Sequence, residues 1–295
     1  MELYQLKTFA SVAEEGNLTR AAERMHISQP AVSGQIKALE QDFDVRLFER
    51  SPTGMTLTVA GRELLTAAER VLTAAEDMKQ TARRLTGEIS GVVRIGTVSN
   101  ATAIRLGDLL TAAIERHPRL QLELQHEVSG AALEAVRERR LDASFYFGEA
   151  PGRDVFALKL REPVYCVAAP AAWADRIGSA GWAEIAAMPW ILTPAISTHN
   201  RLVTRLFEDQ GIEPPQSRVE ADHESVIETL VVSGVGVSLL REELARELAA
   251  AGEVCIWDRA RLRTTLWFVC AAGREADPLL KALFALLREV WQLPE

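Results

Sequence analysis

A change of pattern near Gly87 and Gly91 is the feature that most limits how this chain can fold. Over most of the segment before it, apolar residues recur at helical spacing. After it, short apolar runs alternate with amphipathic segments, which is typical of a mostly parallel α/β architecture. The chain has 295 residues, so each part is long enough to bury a core of its own.

Residues 1–58 predict three short helices followed by a two-stranded ribbon. The first helix ends at Gly16, and Ser28 is the expected N-cap of the third, with Pro30 in its first turn. The stretch LFERSPTGMTLT alternates apolar and polar residues around a turn, which indicates the ribbon. Helix, helix, short turn, helix and ribbon is the order of a winged helix-turn-helix.

The predicted third helix has one face without carboxylates. Its apolar stripe consists of Val32, Ile36, Leu39 and Phe43. The opposite face, around Gly34 and Lys37, is small and polar, as a helix that meets phosphates and base edges requires. Charge alone argues weakly against such a role, because residues 1–62 hold seven basic and eight acidic residues. The prediction of DNA binding therefore depends on the pattern.

Residues 59–86 predict one long helix with a heptad seam. Apolar and small residues step by four and three along it, at Leu64, Ala68, Val71, Ala75, Met78, Ala82 and Leu85. We expect this helix to pair two copies of the chain. The alternative is an amphipathic helix that packs on its own chain.

From residue 92 onward, strands are expected at 92–97, 120–125, 143–147, 164–169, 190–193, 235–239, 254–257 and 264–271. Helices are expected between them, the first over residues 101–116. About 200 residues is more than one sheet needs, so the pattern favours two α/β lobes.

The order of these features resembles the LysR-type transcriptional regulators. The N-terminal residues that carry the resemblance are Phe9, Ala21-Ala22, Ser28-Gln29-Pro30-Ala31, Ser33, Gln35-Ile36, Leu39-Glu40, Leu47-Phe48-Glu49-Arg50, Leu57-Thr58 and Gly61. The C-terminal part resembles the effector domain of that family at Arg94-Ile95-Gly96, Pro118, Leu141-Asp142 and Gly234-Val235-Gly236. The chain departs from the family pattern at Gly34, where Arg is usual, at Pro52-Thr53-Gly54 in place of a basic wing tip, and at Arg241, where Pro is common.

The resemblance implies an α/β fold class with an N-terminal winged helix-turn-helix, a long linker helix and two Rossmann-like lobes of the type 2 periplasmic-binding-protein kind. The expected domains are a DNA-binding domain at 1–58, a linker and dimerisation helix at 59–86, and an effector-binding domain at 91–295. Within the last, lobe I is expected at about 91–161 and 268–295, and lobe II at about 162–267.

Resemblance and helix geometry together predict the residues that contact DNA. They are Thr19, Arg20, Ser28, Gln29, Pro30, Ser33, Gln35, Lys37, Arg50, Thr53 and Thr56. The amides of Gln29 and Gln35 can each pair with adenine through two hydrogen bonds. Lys37 and Arg50 are expected to meet phosphates. For any one of these residues, the alternative is an ordinary solvated side chain.

Polar side chains also follow several predicted strands where helices begin, which is where α/β sheets bind ligands. The predicted effector-binding residues are Ser99, Asn100, Ala101, Thr102, Phe147, Ser197, Thr198, His199 and His223. For the hydroxyl groups the alternative is helix capping, and for the histidines it is a capping or surface role. The expected ligand is a small organic molecule, and we expect an anion.

Other function classes have little support in the sequence. His126-Glu127 and His223-Glu224 each lack the second His of a zinc-protease motif, and neither a nucleophile elbow nor a phosphate-binding loop is present. The three cysteines are scattered, so neither a disulfide framework nor a metal is expected. The chain is thus predicted not to be an enzyme and to need no cofactor besides its effector. A solute-binding protein alone would not explain the helix-turn-helix.

The expected partners are double-stranded promoter DNA, a small effector and further copies of the chain, as a dimer or the homotetramer that the family implies. RNA polymerase is a further candidate partner, and no membrane is expected. No apolar run approaches the roughly 18 residues of a spanning helix. The N-terminus lacks the basic and apolar regions of a signal peptide, which favours a cytoplasmic location.

Overall fold

The computed structural model describes residues 1–51, 54–84, 89–97 and 101–294. The chain divides into two compact units, Met1–Glu88 and Ile89–Glu295. The first contains α1 (Leu3–Glu15), α2 (Leu18–Met25), α3 (Gln29–Phe43), β1 (Phe48–Ser51), β2 (Gly54–Leu57) and α4 (Val59–Arg84). Strands β1 and β2 pair antiparallel, so the first unit has the predicted order of three helices, ribbon and long helix.

Local residues explain where the first helices end and begin. Gly16 ends α1 in the left-handed region, with a φ of +59°, and the Asn17 side chain accepts the Thr19 and Arg20 N–H groups at the start of α2. The ribbon docks on this turn, because the Met55 N–H donates to the Gly16 carbonyl at 2.8 Å. A Cβ at Gly54 would overlap the same carbonyl. The two glycines therefore allow the ribbon to approach the helices closely.

The core of the first unit includes the start of the predicted heptad seam. Ala68 of α4 is buried with Phe9 and Leu39, and Leu64 packs against the same cluster. This part of α4 thus packs on its own chain, which is the alternative that the sequence left open. Val71 and Met78, further along the helix, remain exposed. The seam residues Ala82 and Leu85 lie outside the described side chains.

The second unit alternates strands and helices. In chain order these are β3 (Gly91–Thr97), α5 (Leu106–Arg116), β4 (Leu120–His126), α6 (Ser129–Arg137), β5 (Ala143–Gly148), β6 (Val155–Arg161), β7 (Val164–Pro170), α7 (Ala174–Ser179), α8 (Trp182–Ala186), β8 (Trp190–Leu192), α9 (Thr198–Glu208), β9 (Ser217–Glu220), α10 (Glu224–Val232), β10 (Ser238–Arg241), α11 (Glu242–Ala250), β11 (Val254–Arg263), β12 (Thr265–Ala271) and α12 (Pro278–Val290).

The strands form two lobes, each with a sheet and a core of its own. Lobe I has the strand order β4-β3-β5-β12-β6, and its core includes Phe145 and Phe268. Lobe II has the order β10-β7-β11 with a separate β8-β9 pair, and its core includes Trp190, Phe207 and Trp257.

The prediction of a mostly parallel architecture is wrong for much of this unit. Strand β3 is parallel to β4 and β5, and β8 is parallel to β9. However, β12 is antiparallel to β5 and β6, and β7 is antiparallel to β10 and β11. The physical reason is that long strands pass from one lobe to the other and return in the opposite direction.

The chain crosses between the lobes twice, at Pro163 and at Thr264. The Thr264 N–H donates to the Pro163 carbonyl at 3.2 Å, which holds the crossings side by side. Strand β12 begins at Thr265, so the return into lobe I starts three residues before the expected 268.

Two other predicted elements begin later in the structure than expected. The helix expected from residue 101 begins at Leu106, because residues 101–105 form turns and Arg105 is left-handed, with a φ of +48°. The strand expected at 235–239 begins at Ser238, because Gly234 continues the preceding turn with a φ of +87°. Among the described residues, no helix is both long and apolar enough to cross a membrane.

Candidate functional site

The acid-free face of α3 lies on the surface of the first unit. The Ser28 hydroxyl caps the helix by accepting the Ala31 N–H at 3.3 Å. Gln29, Pro30 and Lys37 are exposed, and Ser33 is half-buried. The opposite stripe is buried in the core of this unit. The predicted residues of α3 are therefore presented together, with the exception of Gln35.

Gln35 has a structural contact that limits its predicted role. It is half-buried, and its side-chain oxygen accepts a hydrogen bond from the Thr8 hydroxyl of α1. A bidentate contact to adenine needs both the oxygen and the amide nitrogen. With its oxygen engaged, Gln35 holds α3 against α1. Gln29 is exposed, so the oxygen and the nitrogen of its side-chain amide lie at the surface.

The predicted residues beside α3 are also exposed where they are described. Thr19 and Arg20 lie in the first turn of α2, and Arg20 donates to the Glu15 carbonyl at the end of α1. Thr56 of β2 is exposed, and its hydroxyl is 3.4 Å from the Glu49 carbonyl. The Arg50 side chain and all of Thr53 lie outside the described residues, so their contacts with DNA stay predictions.

Glu40 is a positioning residue that the sequence did not reveal. Its carboxylate accepts the N–H groups of Leu47 and Phe48 at 2.8 and 3.3 Å, which ties the start of the ribbon to α3. Asp42 pairs with the N-terminal amine at 2.7 Å, and this hydrogen bond raises the pKa of the amine. Glu40 and Asp42 are thus held by partners of their own unit.

A cleft between the two lobes encloses about 650 Å³, part of it open to solvent. Hydroxyl groups line it at Ser129, Tyr165, Thr193, Ser197, Thr198 and Thr264. Apolar side chains line it at Val128, Phe147, Leu202, Ile227 and Leu239. Its remaining described lining residues are His199, Asp222 and Glu224.

Four of the predicted effector residues line this cleft: Phe147, Ser197, Thr198 and His199. Ala101 and Thr102 are exposed in the turn before α5, outside the described lining. Ser99 and Asn100 lie outside the described residues. Sequence reasoning missed Ser129, Tyr165, Thr193 and Thr264. The usable signal was position, since Thr193 follows β8 and Thr264 follows β11.

The hydroxyl groups mostly serve the fold. Ser197 caps α9 by accepting the Asn200 N–H at 3.1 Å, which agrees with the capping alternative. The Thr198 hydroxyl donates to the Phe147 carbonyl and so joins lobe II to lobe I. The Phe147 N–H donates to the Ser129 hydroxyl at 3.2 Å. Phe147 is therefore held from both sides at the cleft.

His223 lies beside this cleft, between two of its lining residues. Its ring stacks on the ring of His126 from lobe I, with centroids 4.7 Å apart and an angle of 29° between the planes. The fold thus brings together His126 and His223, the histidines of the two incomplete zinc-protease motifs in the sequence. Within the described part of the chain, no cluster of three or more His, Cys, Asp or Glu residues could hold a metal.

His199 has one engaged nitrogen and one unengaged nitrogen. Nε2 lies 2.9 Å from the Leu239 carbonyl, which can only accept, so Nε2 carries the hydrogen. Burial lowers the pKa of the ring and keeps it neutral. Nδ1 is buried and has no hydrogen-bond partner among the described residues.

Arg241 compensates the charge of Glu224 behind the cleft. Its guanidinium contacts both carboxylate oxygens, at 2.7 and 3.3 Å, and both side chains are largely buried. A bidentate pair of this kind is both strong and geometrically specific. Burial also raises the pKa of the neighbouring Tyr165. The Arg that replaces the common Pro of the family pattern thus has a partner here.

Family comparisons agree with both units. The profile of the bacterial regulatory helix-turn-helix protein, lysR family, matches residues 3–62, and that of the LysR substrate binding domain matches residues 86–292. The chain belongs to the LysR family. It is a LysR-type DNA-binding transcriptional regulator with a substrate-binding domain. Because this family consists of transcriptional regulators, the prediction that the chain is not an enzyme is confirmed.

Individual relatives cover most or all of this LysR-type chain. The transcriptional regulator IlvR of Caulobacter vibrioides is 31% identical over the full length of both chains. YofA of Bacillus velezensis is 28% identical over 83% of each. Among solved structures, the LysR family regulator CbnR is similar with a TM-score of 0.65 at 24% identity, over 98% of this chain and 99% of that one. This likeness confirms the predicted fold class.

Proposed function

We propose that this LysR-type regulator binds promoter DNA through the exposed face of α3 and responds to a small organic molecule bound between its two lobes. The observation that carries the proposal is the acid-free face of α3, with Gln29 and Lys37 exposed on it. In this role, Gln29 contacts a base edge and Lys37 a phosphate. CbnR has been solved with its target DNA, and that structure is similar to this chain with a TM-score of 0.67 at 24% identity, over 98% of this chain and all of that one.

The two crossings between the lobes support a ligand response. The lobes are joined by two antiparallel chain segments at Pro163 and Thr264, and by the hydrogen bond from Thr198 to Phe147. A molecule that contacts both lobes favours their closed arrangement over more open ones. Ligand binding then shifts the population of arrangements, and with it the pairing of chains on DNA.

The sequence predicted an anionic ligand, and this part stays a prediction. The start of α9 at Thr198 supports it, because N–H groups at a helix N-terminus attract negative charge. The charged residues in the described lining are Asp222 and Glu224, with no Lys or Arg among them. Among the described residues, an anion would therefore depend on the start of α9. The predicted effector residues Ser99 and Asn100 lie outside the described part of the chain.

Self-association through α4 is part of the proposal. Val71 and Met78 are 41% and 73% exposed on one side of this helix, and a second copy would cover them. Pairing two DNA-binding units doubles the phosphate contacts and imposes two-fold symmetry on the DNA site. A tetramer, contact with RNA polymerase and a cytoplasmic location stay predictions.

Footprinting on the DNA upstream of the chain's own gene and of the divergent neighbouring gene tests the central proposal. We expect wild type to protect two half-sites with a common axis, and Lys37→Ala to weaken binding and lower the salt slope by about one. If wild type protects no sequence on these fragments, the proposed function is wrong.

The seam has a separate test. Val71→Asp should lower the molar mass measured by light scattering, because it places a charge within the proposed contact. Thr66→Asp, on the opposite side of the same helix, is the matched control and should leave the mass unchanged. Wild type that is monomeric at micromolar concentration would contradict pairing through α4.

A further inference from the structure

The cleft wall contains a buried acceptor that no described group of the protein uses. Because Nε2 of His199 donates to the Leu239 carbonyl, the lone pair of the neutral ring is on Nδ1. Buried polar atoms nearly always have a hydrogen-bond partner, since leaving one unpaired is costly. His199 belongs to the cleft lining, which makes a molecule in the cleft the candidate for the missing donor.

The charges around the cleft select the kind of donor. Asp222 and Glu224 line it, and Arg241 balances Glu224 from outside the described lining. Asp222 is exposed in the loop before α10 and has no ion pair among the described residues. The described lining therefore carries excess negative charge, which attracts a positive group and repels a carboxylate.

The remaining wall favours an apolar body. Leu202, Ile227 and Leu239 belong to lobe II, and Phe147 closes the cleft from lobe I. Clefts lined mostly by apolar side chains hold small organic molecules, with a few polar groups fixing their orientation.

We propose that the ligand of this cleft is a small amine with an apolar body, whose N–H donates to His199 Nδ1 and whose positive charge faces Asp222 and Glu224. This inference rests on the proposed ligand response. A second, anionic end near the start of α9 is compatible with it, so amino acids belong to the same class of ligand.

Matched ligands test the proposal on the full-length protein. 3-Methylbutylamine, L-leucine and 4-methylpentanoate share one body, and phenethylamine, L-phenylalanine and 3-phenylpropanoate share another. We expect at least one amine-bearing member to raise the melting temperature, and its matched carboxylate not to do so. Concentrations up to roughly 20 mM detect even millimolar dissociation constants. Stabilisation by a carboxylate without an amine, or by none of the four amines, would overturn the proposal.

Two substitutions test whether the amine binds at His199 and Asp222. His199→Gln retains an N–H donor for the Leu239 carbonyl but lacks the Nδ1 acceptor, and Asp222→Asn removes one negative charge. Each should weaken amine binding in calorimetry by roughly tenfold, the size of one lost charged hydrogen bond. Asp175→Asn, exposed on α7 and outside the described lining, is the matched control and should bind as wild type does. Unchanged affinity in both His199→Gln and Asp222→Asn would refute this assignment.

An NMR measurement gives a readout that does not depend on stability. In protein with ¹⁵N-labelled histidine, the amine should move the Nδ1 resonance that is absent from His199→Gln, and an unmoved resonance on saturation would count against the contact. Failure of the amine proposal can be told apart from failure of the proposed function. A response to carboxylates alone would contradict the amine proposal but leave the proposed DNA binding and ligand response in place. Absence of DNA protection would contradict the proposed binding of promoter DNA and would leave the proposal of amine binding unaffected.

Discussion

The exposed face of α3 and the cleft between the lobes are built in opposite ways. The α3 face comes from one continuous helix, and its side chains Gln29 and Lys37 extend into solvent. The cleft draws residues from both lobes, and Thr198 and Glu224 are already bonded to other parts of the protein. A surface on a single helix is set by spacing along the chain, whereas the cleft depends on how distant segments meet.

The acidic residues of the two regions also differ in their bonding partners. Near α3, Glu40 and Asp42 are bonded to backbone N–H groups and to the N-terminal amine, which limits their repulsion of a phosphate backbone. In the cleft, Glu224 is paired with Arg241, whereas the exposed Asp222 has no ion pair among the described residues. We therefore expect charge substitutions to act in opposite directions at the two places.

The largest expected effect tests the α3 side of this comparison. Gln29→Ala should weaken binding to the specific DNA site by about 1–3 kcal/mol, because one base contact is lost. Fluorescence anisotropy on specific and unrelated DNA measures it, and binding to unrelated DNA should not change. Gln210→Ala, an exposed amide in the second unit, is the control. Equal losses on both DNA sequences would mean that Gln29 does not read bases.

The next effect tests whether the lobes are coupled. A Cβ at Gly130 would overlap the backbone of Ile196 in the other lobe, so Gly130→Ala should force the lobes apart there. We expect a loss of about 1–2 kcal/mol in stability, in the lower part of the overpacking range, because Ile196 is 40% exposed and can shift. Thermal unfolding measures the loss, and Gly178→Ala, which has open space around it, is the control. If the two variants are equally stable, this contact does not limit closure.

A smaller effect concerns pH. Burial lowers the pKa of His199 in the folded protein, whereas a histidine in an unfolded chain takes up its proton near pH 6.5. As the pH falls below about 6.5, the unfolded state binds the additional proton, which costs up to about 1.4 kcal/mol of stability per pH unit. His199→Gln removes this contribution and should lose less stability than wild type between about pH 7.5 and pH 5.5. Denaturant unfolding at both pH values measures it, and parallel losses would contradict a buried neutral ring.

The smallest effect returns to α3. Apart from its chain neighbours and the backbone of its own helix, no atom of the described residues lies within 4 Å of the position that a Cβ on Gly34 would take. Gly34→Arg should therefore fit and restore the residue that is usual in the family. One added phosphate contact should steepen the dependence of log affinity on log salt by about 0.9. Gly107→Arg, with similar open space in the second unit, is the control. An unchanged slope would place Gly34 away from the DNA backbone.

Sequence reasoning predicted the α3 face better than it predicted the cleft. Caps and apolar spacing are local, so Ser28 and the buried stripe of α3 were predicted directly. The contact between Thr8 and Gln35 joins two helices, and no local pattern reveals it. In the cleft, strand ends indicated Ser197 and Thr198, but Tyr165 and Thr264 belong to segments whose pairing depends on the lobe crossings.

The sequence by itself determined the order of elements, the acid-free surface of α3 and the membership of the LysR family. These properties follow from spacing over a few turns of helix and from motifs in a set order. Only the tertiary structure decided that Arg241 neutralises Glu224, that His126 meets His223 and that one nitrogen of His199 has no partner among the described residues. Each of these depends on residues between 17 and 97 positions apart, whose approach is set by packing rather than by local pattern.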